Sequence, residues 1–241
     1  IDHTYIMALP KNIRPEYSTT VPSTGKRIKY QPFSVKEEKV LVLAAEGNDS
    51  DEITNAITNV LQACVTSPTD FKVEELALFD IEYLFLKTRA KSAGEKIKVN
   101  LTDPNDTTFS VEHEINIDKI SVVKDKDHTD LIELSDTIAV KMRYPDISFF
   151  NEGINLDGIT ETTTMVARCI KQIVIGEEVY DSTDMSSDEV IEWLEGLTTE
   201  QFVKISSFFS TMPKLSHSVT VKNTKTDTDF TVKLEGLADF F

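Results

Sequence analysis

The sequence predicts an α+β fold: a helical domain opened by an N-terminal β-hairpin, an inserted small antiparallel β unit, and a C-terminal helical part ending in a β-hairpin. Three observations predict it. Apolar residues recur at helical spacing in residues 51–64 and 73–92, the period changes to two after Gly94, and three Ser/Thr-x-x-Glu/Gln signals stand before apolar runs.

Residues 1–18, with Pro10 and Pro15 among polar residues and no periodicity, read as an arm that is ordered only where something holds it. In residues 19–31 "TTV" and "KRIKY" flank "PSTG", whose Pro and Gly suit a tight turn, so this stretch reads as a hairpin that Pro32 ends. Ser34 and Glu37 form a capping box for a helix that runs to Gly47. A second helix begins near Asp51, with Ile53, Ala56, Ile57, Val60, Leu61 and Cys64 on one face. The third, residues 73–92, is apolar almost all round, which marks it as the central helix, with Glu75, Glu82 and Arg89 as its narrow wet stripe.

Ile97, Val99 and Leu101 then alternate, "DPNDT" turns the chain, and Phe109, Val111, His113, Ile115 and Ile117 alternate again. With "DLIEL" and the set Ile138, Val140, Met142 and Tyr144, residues 94–145 form the antiparallel unit. Helices are expected to resume with "PDISFFNEG" and over 158–175, where Ile159, Val166, Ile170 and Ile173 would be buried. Ser186 with Glu189 and Thr198 with Gln201 cap two more helices, and Pro213 stops the last. Val219 and Val221 pair by pattern with Phe230, Val232 and Leu234 in a terminal hairpin. The expected division is therefore an arm (1–18), a hairpin plus helical domain (19–93), the β unit (94–145), and a C-terminal helical domain with its hairpin (146–241).

The chemistry-bearing residues form no catalytic pattern. Gly25-Lys26 hints at a phosphate loop, but no earlier glycine precedes it and Arg27 stands where the magnesium-binding hydroxyl belongs. Glu37 and Glu38 lie beside Lys36 and Lys39, an arrangement that helix capping and charge pairing explain. His3, His113, His128 and His217 show no metal-ligand spacing, and His113 falls on the apolar side of its strand. "KDKDHTD" lacks the glycine and terminal glutamate of a calcium loop and reads as a solvated turn. Cys64 and Cys169 lie in apolar helical patterns as small hydrophobes, which suits a reducing cytosol. No cofactor and no metal is expected.

Asp and Glu outnumber Lys and Arg by 41 to 25, a net charge of −16. Without a concentrated basic face, that argues against a nucleic-acid partner. No apolar run is long enough for a membrane span, and "IDHTYIMALP" lacks the pattern of a secretory leader, so the Asn48, Asn100 and Asn105 sequons are not read as glycosylated. What remains is surface: the basic hairpin, and the apolar residues Phe208, Phe209, Met212, Phe240 and Phe241 near the C-terminus, which either seal a core or form a docking edge.

Three ordered blocks carry a resemblance: "VPSTGKRIKYQPFSVKEEK", "DIEYLFLKTRAKSAGE" and "FFSTMPKLSH" with "LEGLADFF". They resemble baseplate hub and hub-assembly proteins of T-even-type contractile-tailed bacteriophages, from about residue 20 to the C-terminus. The resemblance marks Ser23, Gly25, Lys26, Pro32, Phe33, Glu37, Glu38 and Lys39 in the first block. It marks Ile81, Glu82, Phe85, Leu86, Arg89, Ala90, Lys91 and Ser92 in the second, and Met212, Pro213, Leu215, His217, Leu237, Phe240 and Phe241 in the third. Some of the proteins resembled carry a cysteine pair at the tip of the terminal hairpin; "KNTKTDTD" stands there in this chain, so no metal-bound tip is expected.

The resemblance implies a morphogenesis protein without catalytic residues, in the cytoplasm of the infected bacterial host or in the virion tail baseplate. Its implied partners are other baseplate hub or tail proteins, with self-association left open and neither nucleic acid nor membrane among them. The candidate contact residues are Lys26, Arg27, Tyr30, Phe33, Glu37, Glu38, Phe208, Phe209, Met212, Pro213, Leu215, His217, Phe240 and Phe241. The competing reading is an enzyme whose site the sequence does not display.

Overall fold

Local signals and long-range pairing divide the fold between them in a computed structural model that describes residues 12–47, 49–147 and 159–240. The opening hairpin pairs β1 (Tyr17–Thr20) with β2 (Arg27–Tyr30). At its turn Gly25 takes φ +69°, a conformation that costs glycine little, while Val21 and Lys26 close the turn by a 2.9 Å backbone bond. A short third strand, β3 (Val65–Ser67), adds to β2, which the sequence reading did not anticipate.

Helix α1 spans Val35–Gly47 and α2 spans Ser50–Cys64. Asp49 caps α2 by accepting from the N–H groups of Asp51 and Glu52. Ala56, Ile57, Val60, Leu61 and Cys64 are buried, as their spacing predicts. Helix α3 (Leu78–Ala93) starts later than expected, after a 3-10 turn at Val73–Glu75. It is shared between two cores: Ile81, Leu84 and Phe85 face the hairpin and α2, while Leu86 and Ala90 face strands from the middle and end of the chain. That sharing corrects the expected wet stripe, because Glu82 is half-buried and its carboxylate accepts the N–H of Leu237 at 3.1 Å.

The alternating segment after Gly94 is antiparallel, and its strands are distributed over three sheets. Strands β4 (Lys96–Asp103) and β5 (Asp106–Asn116) pair with each other. Strand β6 (Ser121–Val123) joins the terminal hairpin of β11 (Lys214–Asn223) and β12 (Thr228–Glu235). Strands β7 (Leu131–Ser135) and β8 (Ile138–Met142) join β9 (Ile170–Ile175) and β10 (Glu178–Asp181) in the order β10-β9-β8-β7. The terminal register pairs Val219 with Val232 and Val221 with Phe230, as the pattern predicts.

Helix α4 covers Ile159–Cys169 only, so the helix expected over 158–175 ends where β9 begins. The reason is the composition of "IKQIVI", whose β-branched residues favour a pleated surface and find β8 and β10 on either side. The helix expected from "PDISFFNEG" lies mostly outside the described residues; Pro145–Ile147 are described and are not helical, and Asp146 bridges to Ala77. Helices α5 (Ser187–Glu195) and α6 (Thr199–Thr211) each carry a complete capping box, from Ser186 with Glu189 and Thr198 with Gln201. With α4 they cover one face of the β7–β10 sheet around Val140, Val166, Ile170, Ile173, Ile205 and Phe208.

Candidate functional site

The start of α1 is bolted to the body of the protein. The Ser34 N–H donates to Glu37 Oε2 at 2.7 Å and the Ser34 hydroxyl donates to the same oxygen. Arg14 sits 3.6 Å from that oxygen and donates to the Pro32 carbonyl at 2.8 Å. The Ser34 hydrogen bonds, with help from Arg14, hold the Glu37 carboxyl below its ordinary range. The Phe33 N–H donates to Ser92 Oγ at 2.9 Å, which ties this junction to the last turn of α3.

Beyond that anchored turn, α1 has more apolar residues than it can bury. "KVLVLAA" places apolar side chains at six consecutive positions, 40–45, whereas a helix resting on one neighbour covers a stripe of roughly 100°. Glu37, Leu41 and Ala44, spaced i, i+4, i+7, take the half-buried side towards α2. Val35, Val40, Val42 and Leu43 are left 66, 43, 51 and 66% exposed. Covering what remains exposed of each side chain would contribute about half of the 1.5–3 kcal/mol that full burial is worth, roughly 1 kcal/mol per residue in transfer terms.

The hairpin tip is also held firmly. Asp80, fully buried, accepts the N–H of Ser23 at 2.9 Å and the Ser23 hydroxyl. Burial pushes the Asp80 carboxyl above its ordinary range. On this tip Lys26 and Arg27 are exposed; Lys26 Nζ stands 5.5 Å from the centre of the Phe71 ring, and Arg27 donates to Ser18 Oγ at 3.1 Å. Glu38 is exposed on α1, whereas Tyr30 is only 4% exposed and burial raises its hydroxyl pKa to about 12.

The C-terminal candidates divide. Phe208, Leu215 and Phe240 are at most 1% exposed and pack inside two different cores, and Pro213 is buried with them. Phe209, Met212 and His217 are half-buried, and Phe241 lies outside the described residues.

One histidine departs from its sequence reading. "KDKDHTD" is solvated except at His128, which is buried between Thr211 on α6 and Tyr144 after β8, with Nδ1 and Nε2 each 3.0 Å from a hydroxyl oxygen. Its ring stacks on Tyr144 and leans on Phe208, and Tyr144 meets Phe79 of α3 edge to face at 5.0 Å. Burial lowers its pKa below 6.5. The terminal hairpin tip is likewise a packing device: Asn223, fully buried, donates to Asp103 at 2.8 Å and accepts the Lys225 N–H at 2.9 Å.

Catalytic chemistry finds little to work with among the described residues. A cleft of about 420 Å³ between the β7–β8 turn and α6 is lined by Glu133, Ser135, Asp136, Thr137 and Lys204, with no histidine or cysteine. Cys64 and Cys169 are buried, and burial raises their thiols to about 11 and about 12, which removes the thiolate a nucleophile needs. Among the described residues no group of three or more His, Cys, Asp or Glu could hold a metal ion, and no helix is long and apolar enough to cross a membrane.

Sequence reasoning located the anchored tip and the α1 cap but missed the apolar arc of α1. Its signal was present in the excess of apolar residues over what a 13-residue helix on one neighbour can bury. Comparison with known proteins found no match among curated proteins or solved structures. A family profile described as T4 bacteriophage base plate protein matches residues 14–241, and with nearly the whole sequence covered, the chain belongs to this phage base plate family.

Proposed function

We propose that the chain is a baseplate hub subunit or hub-assembly factor that acts through protein-protein contacts and carries out no catalysis. The observation that carries this reading is α1: a helix with a secured start and Val35, Val40, Val42 and Leu43 in solvent. Apolar side chains exposed together on one helix gain most when a partner covers them. Lys26 and Arg27, exposed at the hairpin tip of a body of net charge −16, give a docking partner an electrostatic orientation. Phe33, Glu37, Glu38, Phe209, Met212 and His217 are the other candidates with surface to offer; Tyr30, Phe208, Pro213, Leu215 and Phe240 are buried and offer none.

The test is affinity capture of the tagged chain from cells infected by its phage, with mass spectrometry of the eluate and of purified particles. Hub or tail proteins in the eluate are expected. The chain's presence in finished particles then identifies a hub subunit, and its absence an assembly factor. An eluate with no phage tail protein, together with particles lacking the chain, contradicts the proposal.

A further inference from the structure

The four-stranded sheet ends on one side at β10, and among the described residues nothing pairs with its outer edge. An open edge offers backbone N–H and C=O groups to any extended chain. Val179 is 59% exposed, Tyr180 42%, and Ile175 at the end of β9 38%. Successive side chains of a strand point to opposite faces, so Val179 and Tyr180 put apolar surface on both sides of this edge.

Charge decides which chain it suits. From Gln172 to Val203 the sequence holds nine acidic residues and no Lys, Arg or His. Among the described residues only Glu200 of the nine has an ion-pair partner, Lys204 at 3.6 Å. Asp181 is engaged by Thr183 and Gln172 and lies in the field of Lys171 on β9, whereas Glu178 accepts the Tyr180 hydroxyl and keeps its charge. A second copy of this chain fits poorly. In a symmetric antiparallel pairing of two β10 strands, Glu178 of one copy would face Asp181 of the other, and like charges directly opposite destabilise a ladder.

We infer that β10 is a docking edge for an extended basic segment of another protein, one that alternates Lys or Arg with apolar residues and adds to the sheet as a further strand. Its backbone pairs with residues 178–181, its apolar side chains cover Val179 and Tyr180, and its cations meet Glu177 and Glu178. This gives one partner in the contact role proposed above a stated chemistry. It can also fail alone, because its test uses the purified chain while the hub reading is decided in infected cells.

The probe is an acetylated, amidated peptide of about eight residues alternating lysine with valine, a length suited to a short strand. It is titrated into the full chain and followed by amide hydrogen exchange and NMR. Binding should protect the amides of residues 178–181, weaken about tenfold or more between about 50 mM and about 500 mM salt, and weaken similarly with Glu177→Lys plus Glu178→Lys. N-methylating alternate peptide nitrogens, which keeps the charge and removes backbone pairing, should abolish the protection. Undiminished binding of the N-methylated peptide, equal binding of the glutamate-valine peptide, protection confined to other strands, no binding at all, or protection of β10 by rising protein concentration alone would each overturn the inference.

Discussion

His128 shows how one side chain can fasten its own loop to α6 and to the segment after β8. The Thr211 hydroxyl has backbone carbonyls of Ser207 and Phe208 within 3.3 Å, so its hydrogen is committed there and its oxygen accepts from His128 Nδ1. Nε2 then accepts the Tyr144 hydroxyl, and a second proton on the ring would displace that bond. Because burial depresses the folded-state pKa, the unfolded chain binds the proton more readily, so this residue's contribution is full above about 6.5 and is lost as pH falls below it. His128→Ala should cost about 1–3 kcal/mol in denaturant unfolding at neutral pH and flatten the pH dependence just below 6.5. Asp80 has the opposite sign. Its raised carboxyl favours the folded state while protonated, and that contribution is lost as pH rises from 3.8 through the folded value. Asp80→Asn should therefore keep the Ser23 contact and reduce the pH dependence above 3.8, whereas Asp80→Ala should lower stability by about 1–3 kcal/mol, both read from unfolding midpoints.

At the scale of elements, α1 and α2 make a controlled contrast. Leu61 on α2 is 1% exposed, and Leu61→Ala should cost about 2–5 kcal/mol in thermal or denaturant unfolding. Val42→Thr with Leu43→Gln on α1 should shift stability by no more than about 0.5 kcal/mol per site, since both side chains already face water. The elements legible in the sequence are those set by neighbours along the chain. The boxes at Ser186 and Thr198 need only the residue three positions on, and α2 needs only its own spacing. The misread elements depend on partners far away. Ile170 and Ile173 continue the helical spacing of Val166, yet their β-branched run is claimed by β8, and β3 is a strand only because β2 passes beside it. The candidate site divides in the same way. The Ser34 cap was readable, whereas the exposure of Val42 and Leu43 depends on which side of α1 finds a neighbour, and the burial of Phe208 and Phe240 depends on cores assembled from distant segments.

At the scale of the whole molecule, the described residues form three hydrophobic cores, and the chain carries a strong excess of negative charge. Helix α3 lies in two of those cores, and the Phe79, Tyr144, Phe208 and His128 rings extend the contact to the third, which makes the body a stable mount for α1 and β10. Self-repulsion at a net charge of −16 should ease with added salt, so the thermal midpoint should rise modestly between about 20 mM and about 200 mM sodium chloride. The central claim is that a base plate protein meets its partners through the uncovered arc of α1. Its most direct test is parallel capture from infected cells by the native chain and by the Val42→Thr, Leu43→Gln variant, with baseplate proteins quantified in both eluates. The account predicts equal folding and a loss of about tenfold or more in baseplate proteins for the variant; equal recovery by the two chains would contradict it.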